Sequence, residues 1–435
     1  MDDDLVRAEP GERRPASPPT DQPLRTRRGW GSARSRTIWQ ATGFAGASLL
    51  ANALAVVATA ILTRHLGTSK FGSYSFAVSV LFFVAMFFEF GLFLPAARLS
   101  ALADEGDRRR ILGAALLVYL PVGAAFSATI FGLSFLIDGW FQVDAGHALR
   151  VSAAATMGFP FVLVLQQLAQ GIDRLHVAST ATALAQLFLV ALLGLLLGVG
   201  GELSPASALV LRSLALLMAS VLAAIWLRPA FGAVARWTRE LVREAHNWGF
   251  QLYLGRVLSI GTYNMDVLML GLWTNSRSVG LYALAGSLAA ASGLPVIGYA
   301  SALFARMARE PALARGWLVV ATAVGGACAL TAWLLAEPAI RVLFSPRYLA
   351  AAGLVLPLAL AQLVRGVTAI YNTFLSAHGR GADLRNAGLV LTISNLALNF
   401  ALIPPFGARG AAWASLLALI ANLGAHVVVY RRSFA

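Results

Sequence analysis

The sequence predicts an all-α polytopic membrane protein, with twelve transmembrane helices in two six-helix lobes related by a pseudo-two-fold axis along the membrane normal. Three observations carry this. Hydrophobic residues make up 58% of the 435 residues and charged residues 12%, with a mean hydropathy of +0.71, far above what the core of a soluble domain requires. Twelve apolar runs are long enough to cross a hydrocarbon layer, which takes about 20 residues. The second half of the chain also repeats features of the first at an offset of 208 residues.

In chain order, residues 1–38 are polar and rich in Arg, Pro and Asp, with no apolar h-region ahead of the first long hydrophobic run. They read as a disordered basic cytoplasmic arm rather than a cleaved signal. Spans are predicted at 40–63, 73–97, 111–137, 148–170, 177–199 and 207–227, forming an N-terminal lobe over 39–228. Residues 229–249 place Phe231, Val234, Trp237, Leu241 and Trp248 along one edge, with Arg236, Arg239 and Arg243 elsewhere. That pattern predicts a basic amphipathic linker helix lying on the cytoplasmic leaflet. A C-terminal lobe over 250–435 follows, with spans at 250–272, 279–305, 316–336, 349–376, 384–403 and 410–430.

Charge fixes the orientation. With the N-terminus inside, and with Arg385 at the inner end of its span counted in the inner loop, 24 of the 34 Lys and Arg fall in inner segments and 6 in outer loops, the remaining four lying within spans. Such an asymmetry places both termini in the cytoplasm and supports an even number of spans. It also accounts for the net charge of +14 without a nucleic-acid partner. The single cysteine, Cys328, excludes a disulfide framework and a cysteine metal site.

The repeat pairs Leu62, Gly72, Tyr74, Ala77 and Ser79 with Leu270, Gly280, Tyr282, Ala285 and Ser287, and the same shift pairs Gly171 with Gly379. Each half therefore opens as helix, short outer turn, G-x-Y, helix. An even number of spans per half gives the repeats the same orientation and puts a binding site between them.

Polar residues within the spans form stripes at helical spacing. Arg256, Ser259, Tyr263 and Asp266 share one face of the seventh span. Arg365, Thr368, Asn372 and Ser376 share one face of the tenth, with Gln362 at its edge. Ser48, Asn52, Thr59 and Thr63 mark the first span, and Gln166 and Gln170 the fourth. An Arg or Asp at the centre of a membrane helix costs roughly 2.5 to 3.5 kcal/mol, so such residues normally face a bundle interior or a hydrated cavity. Two readings of these seams stand: helix-to-helix hydrogen bonds, or the wall of a central cavity holding Arg256, Arg365, Asn52, Tyr263, Gln362, Asn372, Gln166 and Gln170. Asp266 lies ten residues from Arg256, about 15 Å along a helix axis, so the two do not pair directly. Glu89 reads either as a cavity acid or as an interface residue near Arg98. Arg150 and Arg212 lie near span ends, where snorkelling is expected. Pro160, Pro295 and Pro404 are either hinges or ordinary tolerated kinks.

More arginine than carboxylate in the cavity favours an anionic substrate, because guanidinium pairs bidentately with phosphate. Lys70 is the only lysine and sits in TSKFG, so no phosphate-binding loop of the G-x-x-x-x-G-K-[ST] type exists. Neither an HExxH motif nor a helical histidine pair at i, i+4 is present, and no cofactor is expected. A secondary transporter is favoured over an enzyme.

Three stretches carry a family resemblance: TRHLGTSKFGSYSFA at 63–77 with EFGLFLPAAR at 89–98, DVLMLGLWTNSRSVGLYALA at 266–285, and LSAHGRGADLRNAGLVLTISNLALNFALIPPFGARGAAWAS at 375–415. In their order and spacing, the chain resembles the polysaccharide-transporter branch of the multidrug/oligosaccharidyl-lipid/polysaccharide flippase superfamily. The resemblance implies two lobes that alternate between inward-open and outward-open states. It implies a substrate of undecaprenyl-pyrophosphate-linked oligosaccharide, an O-antigen or exopolysaccharide repeat unit, moved across the bacterial inner membrane. Membrane lipids, a polysaccharide polymerase and glycosyltransferases are the implied partners. Arg256 and Arg365 match the substrate-holding arginines of relatives by type and depth, and Asp266 matches the acid ahead of the L-G turn. Asp266 and Glu89 are then candidate coupling or gating residues. Relatives often carry further charges in the first span, where this chain offers Asn52, Thr59 and, at the rim, Arg64. Competing readings within the superfamily are a multidrug/toxin cation antiporter, which would prefer cavity acids and aromatics, and a lipid II flippase, which usually has two more spans. A membrane-embedded glycan ligase or polymerase would need a large outer loop that this chain lacks.

Overall fold

The computed structural model describes residues 30–250, 253 and 264–434. Among them no strand occurs. The first half comprises α1 (Trp30–Phe87), α2 (Phe93–Leu102), α3 (Glu105–Trp140), α4 (Gly146–Ser152), α5 (Gly158–Gly171), α6 (Leu175–Gly198) and α7 (Pro205–Trp226). Helix α8 (Val234–Glu244) connects the halves. The second comprises α9 (Met265–Trp273), α10 (Ser276–Ala302), α11 (Arg315–Leu343), α12 (Ala352–Ala377) and α13 (Gly381–Phe434). Several starts are fixed by local chemistry. Asp104 accepts the Asp107 amide at 2.7 Å to cap α3, Ser204 and Ser207 form a capping box around Pro205, the first residue of α7, and Asn275 caps α10 through the Ser278 amide at 3.0 Å. Each satisfies a helix-end donor that hydrocarbon would leave bare.

Eight described helices are long and apolar enough to cross a membrane, or nine if the α4–α5 pair is one bent span. The sequence count of twelve differs partly because two of these helices carry internal breaks and the stretch 250–272 is only partly described. A straight helix of 58 residues would run about 87 Å, almost three times the roughly 30 Å of hydrocarbon. Its break lies at Gly67 (φ 71°). In α13 the break is Gly407 (φ 53°), three residues after Pro404. There the chain doubles back: Asn422 donates to the Ala387 carbonyl at 2.8 Å, Arg380 to Ser433 at 2.6 Å, and Gly410 lies against the Leu402 carbonyl.

Two predicted spans are interrupted. The span expected at 73–97 stops at Phe87, where Phe90 and Gly91 take positive φ. Gly91 lies so close to Gly249 that an added Cβ would come within 2.5 Å of its carbonyl oxygen. The span expected at 148–170 splits into α4 and α5, bent by 52°, with Gly158 against the α7 backbone and Pro160 in the first turn of α5. Pro295 lies inside an unbroken α10.

The halves meet where α1 packs on α10, and the contact is reciprocal. A Cβ on Gly72 would fall 1.7 Å from the Ser276 carbonyl oxygen, and one on Gly280 would fall 2.3 Å from that of Thr68. The 208-residue shift converts each contact into the other, so the pseudo-two-fold passes beside these glycines. One apolar core runs through both halves, including Phe76, Leu81, Phe126, Leu270, Leu284 and Val355, all fully buried. Helix α8 is docked on the first half. Its Trp237 and Leu241 are buried in a cluster with Leu112 and Ala115 of α3, while Phe231 is exposed and Arg98 pairs with Glu244 at 3.6 Å.

Candidate functional site

A cavity of about 440 Å³ lies between the halves, walled by α1, α6, α7, α9, α10, α12 and α13. Its α1 residues, from Ala55 to Ser79, all lie within twelve residues of Gly67, and Ser415 lies eight residues past Gly407. The cavity therefore occupies the half of the molecule that carries these two turns. Among the described residues, two guanidinium groups, Arg212 and Arg365, and one carboxylate, Asp266, face it, with Gln186, Tyr282 and Gln362.

Asp266 sits in the first turn of α9 behind Asn264, which takes a left-handed conformation (φ 68°). A carboxylate there is favoured by the helix dipole. Its Oδ1 accepts the Val267 amide at 3.0 Å, and its Oδ2 accepts the Tyr282 hydroxyl and, at 3.4 Å, that of Ser415. Donors from α9, α10 and α13 thus converge on one acid.

On the turn side the halves are fastened across the interface. Arg64, three residues before Gly67, donates from Nε to the carbonyls of Leu343 at 2.9 Å and Phe344 at 3.2 Å, and from its terminal nitrogen to Val342 at 2.5 Å. These are the unsatisfied carbonyls at the end of α11. Ser73 donates to Ser276 at 3.3 Å, and the Gln142 amide to the Gly271 carbonyl at 2.8 Å.

The residues expected from the sequence divide. Arg365, Gln362 and Asp266 line the central cavity. Asn52, Gln166 and Gln170 do not; with Ser48, Ser179 and Thr182 they line a second chamber of about 440 Å³ inside the first half, between α1, α5 and α6. Asn52 shares its stripe of α1 with Thr59, which does line the central cavity, but lies seven residues, about 10 Å, further along α1 from Gly67. Asn372 is exposed and lies on neither wall, because seven residues carry it about 10 Å beyond Arg365 along α12; it accepts from Ser376 at 3.5 Å. Glu89 is buried in the turn after α1 and accepts a hydrogen bond from Gln167 at 2.8 Å. Arg256 and Tyr263 lie outside the described residues.

Sequence reasoning missed Arg212. It reads there as a snorkelling residue near a span end, yet it lies eight residues into α7 and faces the cavity. Tyr282 figures only as a repeat marker in the sequence, and its bond to Asp266 crosses between helices, which periodicity does not register.

A family model described as "Polysaccharide biosynthesis protein" matches residues 40–310. Among solved structures, the chain is similar to the lipid II flippase MurJ in an inward closed conformation, at 14% identity over 89% of this chain and 87% of that one, with a TM-score of 0.68. It is similar to an inward-facing multidrug resistance MATE family transporter of the MOP superfamily, at 15% identity over 90% and 97%, with a TM-score of 0.70. An outward-facing conformation of such a transporter gives 0.56 at 15% identity over 91% and 96%. No curated protein sequence matches.

Proposed function

Because the chain belongs to the polysaccharide biosynthesis protein family, we propose that it is a secondary transporter that flips undecaprenyl-pyrophosphate-linked oligosaccharide across the bacterial inner membrane by alternating access. O-antigen or exopolysaccharide repeat units are the substrates. The observation that supports this is the charge of the central cavity, which among the described residues is lined by two arginines and one carboxylate. A cavity with surplus guanidinium suits a pyrophosphate.

The mechanism needs no bond to be made or broken. A glycan and a pyrophosphate cannot cross about 30 Å of hydrocarbon unaided, whereas a polar cavity between two repeats can carry them while the lipid tail stays in the bilayer. Rocking of the lobes then exposes the cavity to each side in turn. With both termini in the cytoplasm, the fastened turn side faces outward and loading is from the cytoplasmic leaflet. In this scheme Arg256 is the pyrophosphate ligand on the cytoplasmic side, Arg365 holds the substrate in the central cavity, and Asp266 and Glu89 serve coupling or gating. The upstream glycosyltransferases supply the substrate and a polymerase takes the product.

In a deletion strain that accumulates inner-leaflet lipid-linked oligosaccharide, wild type should relieve the accumulation. Arg365→Ala should reduce rescue about 10-fold or more, as expected for a lost charge-assisted bond, and Arg365→Lys should retain part of it. Full rescue by Arg365→Ala at equal membrane levels would sink the reading. Asp266 on the wall is also what a cation antiporter would use. That reading requires drug efflux to fail in Asp266→Asn while oligosaccharide export is untouched.

A further inference from the structure

Buried side-chain atoms without a hydrogen-bond partner among the described residues include three on the central cavity: the Tyr74 hydroxyl, Gln186 Oε1 and Arg212 Nε. All three belong to the first half, on α1, α6 and α7. The second-half wall is different, since Asp266, Tyr282 and Ser415 satisfy one another. The repeat explains the contrast. Tyr74 and Tyr282 are images under the 208-residue shift, but the image of Asp266 is Ala58, which also lines the cavity. One tyrosine is thus held by an acid and the other is left with its hydroxyl free.

Resting on the flippase reading above, we infer that Tyr74, Gln186 and Arg212 form the subsite for the sugar–phosphate junction of the lipid-linked substrate. Two of the groups are donors, a hydroxyl and a guanidinium N–H, and donors suit phosphate oxygens. The third, an amide oxygen, accepts only, so it suits a sugar hydroxyl or an acetamido N–H rather than a phosphate. Buried polar atoms left unpaired are costly, and a phosphosugar supplies what all three lack. Alanine at position 58 serves the same end. A carboxylate there would occupy the Tyr74 hydroxyl and place negative charge where the phosphate binds.

The test is binding by the full chain in lipid nanodiscs, with two probes: undecaprenyl pyrophosphate, bare or carrying one N-acetylglucosamine. Tyr74→Phe and Arg212→Gln should each weaken both probes about 10-fold. Gln186→Leu should weaken the sugar-bearing probe about 10-fold and the bare one less than twofold. Ala58→Asp should weaken both at least 10-fold more than Ala58→Asn, which fills the same space without charge. Tyr74→Phe removes an oxygen that bonds to no described residue, so it keeps the fold, and thermal transitions of the unliganded variants check the others. If Tyr74→Phe and Arg212→Gln bind like wild type, the subsite is overturned while the flippase reading stands. Equal loss of both probes in Gln186→Leu, or equal effects of Ala58→Asp and Ala58→Asn, also overturns it. A wild-type chain that binds neither probe overturns the flippase reading and the subsite with it.

Discussion

Asp266 is the residue on which three helices converge, through the Val267 amide, the Tyr282 hydroxyl and the Ser415 hydroxyl. An acid so held can change the packing of α9, α10 and α13 when its charge changes, which is what a coupling residue must do. The proposal that Asp266 couples transport to an ion predicts that Asp266→Asn removes the dependence of flipping on an imposed proton or sodium gradient, with substrate binding retained. Tyr282→Phe, which leaves the acid in place and removes one donor, should keep the dependence at reduced rate. Transport in proteoliposomes under each gradient checks both. Gradient dependence that survives in Asp266→Asn excludes coupling through this residue. Asp266 and Arg365 were legible from the sequence because an ionisable group in an apolar run is costly wherever it does not face something polar. Gln186 and Tyr74 were not, since uncharged polar residues serve helix contacts as readily as cavities.

Among the elements, the helices themselves were readable from length and hydropathy, while their interruptions were less so. The breaks at Gly67 and Gly407 fall in the outer turns that the span pattern leaves between its first two and last two runs. Those at 88–92 and between α4 and α5 depend on tertiary contacts of Gly91 and Gly158 with other helices, which no local window contains. Likewise, the polar positions of Asn52 on α1 and of Gln166 and Gln170 on α5 identify polar faces but not the chamber those faces will meet. The repeat was the strongest element-scale signal, and the structure gives it a physical role at Gly72 and Gly280. Adding a methyl to either glycine drives a Cβ against backbone that cannot rotate away. Gly72→Ala and Gly280→Ala should each cost about 1–3 kcal/mol in the state where α1 and α10 touch, shifting the lobes roughly 5- to 150-fold toward separation on the turn side. Because the two contacts share one interface, the double variant should fall short of the sum. Accessibility of a cysteine placed at Ala58 to a membrane-impermeant thiol reagent measures the shift. Unchanged accessibility in both single variants would show that this contact does not set the closed state.

For the whole molecule, alternating access requires the fastened turn side to open. The cross-half contacts of Arg64, Ser73, Gly72 and Gln142 must break together, and the reciprocal glycine contact makes that opening a symmetric tilt of the two halves away from the pseudo-two-fold rather than a local loop movement. Ser73 and Ser276 have hydroxyl oxygens 3.3 Å apart, within the range from which a cysteine pair can close a disulfide. The chain's single native cysteine, Cys328, is replaceable by alanine without touching this interface. In that background, Ser73→Cys with Ser276→Cys should crosslink under oxidation and stop flipping almost completely. Reductant should restore it, and either single cysteine should be insensitive to oxidant. Substrate loading from the opposite side should persist in the crosslinked protein, since the disulfide closes one side and leaves the cavity formed. Quantitative crosslinking with undiminished transport would mean that transport does not need the lobes to separate here, and alternating access by opening of this interface would have to be abandoned.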